Sequence, residues 1–205
     1  MRRTKDGVEQ LKEDILNVAC EIFARKGYHE TKMDDIAEAL DISRGPLYYH
    51  YKNKSALFTA AVELHMTGML EDIRNIFESD APLAEKIEED FIHRVENISL
   101  GNCIKVAILS QKAFLADANQ TYEDALGLMY KIKLHAAYDA QKNGELRPGV
   151  SPEDVVSTIF ILYGGLRNLS VDFPIFKEIG AIDKIPSVDN VIKKMMDFIK
   201  SRLLY

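Results

Sequence analysis

The stretch ISRGPLYYHYKNKSALF, residues 42–58, decides how the front of this chain folds. It holds three Lys or Arg, three tyrosines, one histidine and no acid, in a 205-residue chain of net charge −6. Ser43 stands where a helix cap is expected. Pro46 is tolerable because it lies in a first turn. The spacing predicts a short helix over 44–50, with Leu47 in the core and Tyr51 packed behind it. Lys52-Asn53-Lys54 breaks the pattern. A longer helix follows over about 54–78, with Leu57, Phe58, Ala61, Leu64, Leu70, Ile73 and Phe77 facing inward.

Upstream, Val8, Leu11, Ile15, Val18, Ala19, Ile22 and Phe23 recur at helical steps and form one apolar stripe. Arg25 and Lys26 suit the end of that helix, and Gly27 is its expected stop. Thr31-Lys32-Met33-Asp34 has a capping-box pattern, with Asp in place of Glu. Met33, Ile36, Ala37 and Leu40 give the next short helix an apolar face, and Asp41-Ile42 forms a turn. Two short helices braced by a longer one on each side make a helix-turn-helix unit. The second short helix of such a unit lies in the major groove, where its first residues reach base edges.

Further along, the chain reads as a series of longer helices. One starts at Pro82, carries Leu83, Ile87, Phe91, Val95 and Ile98, and is expected to break at Gly101-Asn102. Ile104–Leu115 and 119–143 follow, the latter stopped by Gly144. Ser151-Pro152-Glu153-Asp154 is a strong start signal for a helix to about Val171. A loop with Pro174, Gly180 and Pro186 leads to a last helix, 187–204. The fold class is all-α, with about nine helices and no strand.

Charge is divided unevenly. Residues 1–58 carry ten Lys/Arg and ten Asp/Glu, and residues 59–205 carry sixteen and twenty-two. The acid belongs to the body, while positive charge gathers at residues 2–5 and 44–54. Such a chain does not coat nucleic acid at large, yet it keeps a local anion-binding face. Cys20 and Cys103 lack metal-ligand spacing and fit a reducing cytoplasm. No apolar core follows the basic start, so no signal peptide is expected, and no apolar run is long enough to span a bilayer.

FARKGYHETKMDDIAEALDISRGPLYYHYKNKSALF, residues 23–58, resembles the N-terminal domain of the TetR family of one-component transcriptional regulators. The likeness rests on the Phe-Ala…Lys-Gly-Tyr helix exit, Asp-Ile-Ala, Ser-Arg-Gly-x-Leu-Tyr and Lys-x-Lys before Leu-Phe. It implies a helix-turn-helix DNA-binding domain over 1–54 and a ligand-binding and dimerisation domain over 55–205. It also implies a repressor that binds palindromic double-stranded operator DNA as a homodimer and is released by a small-molecule effector. Arg44, Gly45 and Pro46 would head the recognition helix. Arg suits the paired acceptors of guanine, and proline offers only apolar contact. Tyr48 would be a core or phosphate-facing position, and Tyr49 and His50 would sit at the groove wall. Thr31 and Lys32 would meet phosphate at the second helix, and Lys54 at the start of the fourth.

Homodimerisation is expected through 152–171 and 187–204, because the first is apolar nearly all round and Gly164-Gly165 allows close approach. Candidate effector contacts are Phe91, Arg94, Phe114, Met129, Tyr130, Tyr138, Phe160 and Tyr163, a set that is also ordinary helical core. No cofactor, metal or membrane partner is expected. Two other readings stay open: a helical-bundle enzyme, and a protein-binding module without operator binding. Asp90-Phe91-Ile92-His93 is the nearest approach to a carboxylate-histidine metal motif and occurs once.

Overall fold

Helix propensity and apolar periodicity give nine α-helices among the described residues of this computed structural model, which are 5–111, 115–169, 177–178 and 187–205. In chain order these are α1 (Lys5–Glu30), α2 (Met33–Ala39), α3 (Arg44–His50), α4 (Lys54–Phe77), α5 (Leu83–Glu96), α6 (Ile98–Ser110), α7 (Ala116–Lys142), α8 (Pro152–Leu169) and α9 (Val188–Arg202). The chain forms two compact units. One comprises residues 1–69 with 99–126, the other 70–98 with 127–205.

In the first unit, Ile15, Ala19, Ile22 and Phe23 of α1 are buried with Ile36 of α2, Leu47 of α3, and Leu57, Phe58 and Ala61 of α4. Phe58 sits edge-on to Phe23 at 5.1 Å and lies 4.7 Å from the Tyr28 ring. Gly27 interrupts α1 at φ 80, a conformation that costs a side chain strain and glycine little. The tight turn between α2 and α3 uses Asp41 at φ 51, and the Ile42 N–H closes it on the Ala37 carbonyl at 3.0 Å. Aspartate is one of the few residues that enters this region readily, through local hydrogen bonding of its short side chain.

In the second unit, Ser151 caps α8 as its sequence announces. Its hydroxyl accepts the Asp154 N–H at 3.1 Å, and the Asp154 carboxylate accepts the Ser151 N–H at 3.0 Å. Gly144 ends α7 at φ 76. Ser187 caps α9 by accepting the Asn190 N–H at 3.3 Å. An isolated antiparallel bridge pairs Leu146 with Leu204.

Several local features differ from expectation, among them the bounds of α6 and α7. The cap of α2 is Lys32, whose N–H is accepted by Asp35 at 2.8 Å, so the box is one residue later than the Thr31–Asp34 pattern. The break before α6 falls at Asn97 rather than Gly101-Asn102. The Asn97 side chain donates to the His93 carbonyl at 3.0 Å, the kind of local bond that competes with helix continuation. Leu64 faces outward, 44% exposed. Residues 2 and 3, Phe114, Val171, and the loop with Pro174, Gly180 and Pro186 lie outside the described residues.

Candidate nucleic-acid interface and effector site

α3 is seven residues long and divides cleanly. Leu47 is fully buried and anchors it, with Tyr51 buried just beyond. Arg44, Gly45, Tyr48 and Tyr49 are exposed, and Pro46 and His50 are half-buried. Tyr49 projects furthest, 80% exposed, with its ring edge-on to His50. A Cβ built on Gly45 meets nothing within 4 Å, so packing inside the chain does not require glycine there. What its bareness permits is close approach by something outside. The Arg44 guanidinium donates to Asp34 of α2 at 2.5 Å, and both side chains are largely exposed. An exposed pair of this kind contributes little stability and is readily exchanged for another acceptor.

Thr31 and Lys54 are engaged inward, which revises their expected place on the phosphate-facing surface. Thr31 is 1% exposed, and its hydroxyl donates to the Gly27 carbonyl at 2.7 Å. The Lys54 ammonium donates to the carbonyls of Tyr28, His29 and Thr31 at 2.8, 3.1 and 3.0 Å, and lies 4.5 Å from the centre of the Tyr28 ring. Burial pulls its pKa below the ordinary lysine range. The physical reason is the end of α1 at Glu30: the carbonyls there have no intrahelical donor, and a cation at a helix end satisfies them. Lys32 remains exposed at the α2 cap. Lys26 pairs with Asp35 at 3.1 Å and fixes α1 to α2.

Of the eight expected effector residues, six gather into one cluster within the second unit. Phe91 and Met129 are fully buried. The Tyr163 ring lies 4.8 Å from Phe91, and the Arg94 guanidinium stacks over it at 4.0 Å. Phe160 joins Tyr163 to Tyr130, at centroid distances of 6.1 and 5.8 Å. Tyr138 stands elsewhere, exposed and donating to Glu153 of α8, which removes it from this set. Phe114 is outside the described residues.

The centre of the cluster was missed by sequence reasoning. Asp90 of α5 and Lys133 of α7 are both 0% exposed and bonded to each other. Lys133 also donates to the Tyr163 hydroxyl at 3.1 Å and lies 4.2 Å from the centre of the Phe77 ring. The other Asp90 oxygen accepts Arg94 Nε at 3.2 Å. Desolvation pushes Asp90 up to about 6 and pulls Lys133 well below its usual range. The signal was present. Asp90 falls on the same stripe as Leu83, Ile87 and Phe91, and Lys133 on that of Met129, Ala136 and Ala140. A charge on a buried stripe needs a partner.

Asp90-Phe91-Ile92-His93 does not act as one motif. Asp90 turns to Lys133, while His93 Nε2 meets Asp72 at 2.9 Å. Among the described residues no group of three His, Cys, Asp or Glu side chains is placed to hold a metal ion. A separate open cleft of about 950 Å³ is lined by Glu78, Asp80, Lys86, Lys131, His135 and Asp139, and by none of the expected effector residues. No helix among the described residues is long and apolar enough to cross a membrane.

Residues 15–61 match the family of bacterial regulatory proteins designated tetR. Over this segment the chain carries a TetR-type N-terminal domain. Two curated relatives are the transcriptional regulator AcrR of Shigella flexneri and the negative transcriptional regulator IcaR of Staphylococcus epidermidis. AcrR is 38% identical over 70 residues, covering 34% of this chain and 33% of the relative. IcaR is 40% identical over 53 residues, covering 26% and 29%. The chain thus spans about a third of the length of these relatives. A transcriptional regulator from Saccharomonospora viridis, crystallised with choline, shares the fold over 96% of this chain and 99% of its own, at TM-score 0.77 and 18% identity. The TetR match spans the helix-turn-helix and ends in the second turn of α4. The later TetR-like helices are alike in fold alone.

Proposed function

We propose that this chain is a ligand-responsive transcriptional repressor that binds palindromic operator DNA as a homodimer and releases it when a small molecule occupies the second unit. The observation that carries the reading is α3. It is held by buried Leu47 and presents Arg44, Gly45, Tyr48 and Tyr49 to solvent, with no acid of its own. Arg44 reads base edges at the head of the helix, Gly45 lets the backbone approach, and Pro46 offers apolar contact. Lys32, Tyr49 and His50 meet phosphate or the groove wall. Lys54 and Thr31 position the reading helix rather than touch DNA, because their polar atoms are already bonded within the chain.

Homodimerisation through α8 and α9 is supported by apolar side chains left in water. Ile161 is 72% exposed, Phe198 48% and Val188 40%. A two-fold dimer presents two reading helices to successive major grooves, and this is why the operator should be palindromic. The choline-bound relative supports a small-molecule site in this architecture, and the negative regulator among the relatives supports repression. The test is a mobility-shift titration on the promoter region beside the protein's own gene. A specific shift that weakens with salt is expected. No specific shift at low salt, with folded protein, overturns the reading.

A further inference from the structure

Among the described residues, the Asp90–Lys133–Arg94 cluster sets two basic side chains against one carboxylate. Asp90 and Lys133 are bonded to each other with no exposed surface. With the Lys133 ammonium donating to the Asp90 carboxylate, the pair sums to zero. Arg94 stays protonated in any protein environment. Among the described residues its carboxylate partner is Asp90, whose charge Lys133 already offsets. One net positive charge therefore remains on a side chain only 16% exposed.

The aromatic faces around this charge are occupied by cations from within. Lys133 lies 4.2 Å from the Phe77 centroid and 5.1 Å from that of Tyr163, and Arg94 covers Tyr163 at 4.0 Å. A quaternary ammonium ligand, which aromatic cages otherwise favour, would meet filled π faces and a like charge. An anion would meet a counter-charge. The guanidinium is suited to take it. Nε is committed to Asp90, and among the described residues Nη2 donates only to the Met129 sulfur at 3.8 Å, a weak acceptor that a carboxylate readily displaces. Beyond it, Phe160 and Tyr130 continue the aromatic wall from Tyr163.

We propose that this cluster is an effector site for an organic anion, whose carboxylate pairs with the outer edge of Arg94 and whose apolar body lies along Tyr163, Phe160 and Tyr130. This rests on the reading of the second unit as an effector domain. Lys133 is a positioning residue: it neutralises Asp90 and so leaves Arg94 its charge for the ligand.

The test uses the full chain and a matched probe panel. Straight-chain and phenyl-terminated carboxylates of four to twelve carbons (probe sizes chosen at roughly drug-fragment scale) are compared with the alcohols and trimethylammonium salts of the same bodies. Binding is read by calorimetry and by thermal shift. The expected result is at least one carboxylate that binds about tenfold or more tightly than both of its counterparts, equivalent to ~1.4 kcal/mol. Arg94→Gln should reduce that preference to within about twofold, and Arg94→Lys should keep part of it. The proposal is overturned if no carboxylate outbinds its alcohol, if an ammonium probe binds best, or if folded Arg94→Gln keeps the tenfold preference. Operator binding by the same wild-type preparation separates the two readings. If sequence-specific DNA binding persists while the acids fail, the anion assignment falls and the regulator reading stands. If sequence-specific binding is absent, the regulator reading falls on its own.

Discussion

Replacing Lys54 with methionine tests whether this residue is an internal clamp or a phosphate contact. The substitution keeps most of the stem and deletes the ammonium. Three carbonyls, of Tyr28, His29 and Thr31, lose their shared donor, and the Tyr28 ring loses its cation. Hydrogen bonds to a charged group each contribute ~1.5–3 kcal/mol when well buried. One ammonium shared three ways at a half-buried site brings the total to about 2–3 kcal/mol. For a chain of this size that corresponds to a melting temperature lower by roughly 5–10 °C. The assay is thermal unfolding by circular dichroism, paired with operator affinity measured across a salt series. A clamp predicts a lower melting temperature, with a loss of affinity that leaves the salt slope almost unchanged. A phosphate contact predicts the reverse: an unchanged melting temperature and a slope shallower by about 0.9 per subunit. That second pattern would refute the clamp.

Two further outcomes are expected. Arg44→Ala should relax base preference at one position per half-site by about 1–3 kcal/mol while leaving the melting temperature nearly unchanged, because its pair with Asp34 is exposed; competition with single-base operator variants measures it, and an undiminished preference would unseat Arg44 as the reading residue. Lys133→Met should destabilise the chain by about 3–5 kcal/mol by stranding Asp90, and adding Asp90→Asn should restore part of this. The two variants should also diverge with pH. Burial raises Asp90 from 3.8 to about 6, so across that interval the folded chain holds a proton that the unfolded chain has released. The stability from this proton is full below the unfolded value and is lost as pH rises through about 6, at up to ~1.4 kcal/mol per pH unit. Urea unfolding of Lys133→Met should therefore weaken relative to the double variant as pH rises through this window, and a pH-independent difference would contradict it.

The helix-turn-helix was legible because each of its parts is local. Pro46 in a first turn, Gly27 at a helix interruption and the apolar spacing of Ile36, Ala37, Leu47, Leu57 and Phe58 are each read from near neighbours in sequence, and Ser43 takes the cap position of α3 although its side chain makes no cap bond. The outward set on α3 followed from the same period. What did not follow was the direction in which polar side chains turn. Lys54 and Thr31 sit at the right addresses for phosphate, yet carbonyls at the end of α1 and at Gly27 claim them. The capping box slipped by one residue for a related reason: Asp34 and Asp35 are adjacent, and only three-dimensional placement assigns one to the Lys32 N–H and the other to Arg44. The Asp90–Lys133 pair joins residues on separate helices, and one sequence without partners in view shows two charges on apolar stripes but not that they meet.

The Lys54 clamp bears on how such proteins are recombined. A chimera that joins this reading head to another sensor just after Lys54 would keep the ammonium but discard Leu57, Phe58 and Ala61, all fully buried, with Phe58 packed against Phe23 and Tyr28. The transplanted head would then lack the wall that holds the α1 exit in place, and its carbonyl cradle would loosen around the retained lysine. A junction placed beyond Val62 carries the cradle, the cation and the aromatic wall together. The portable piece is therefore longer than the DNA-reading motif, and the extra turns of α4 carry the aromatic wall that keeps the lysine cradle closed.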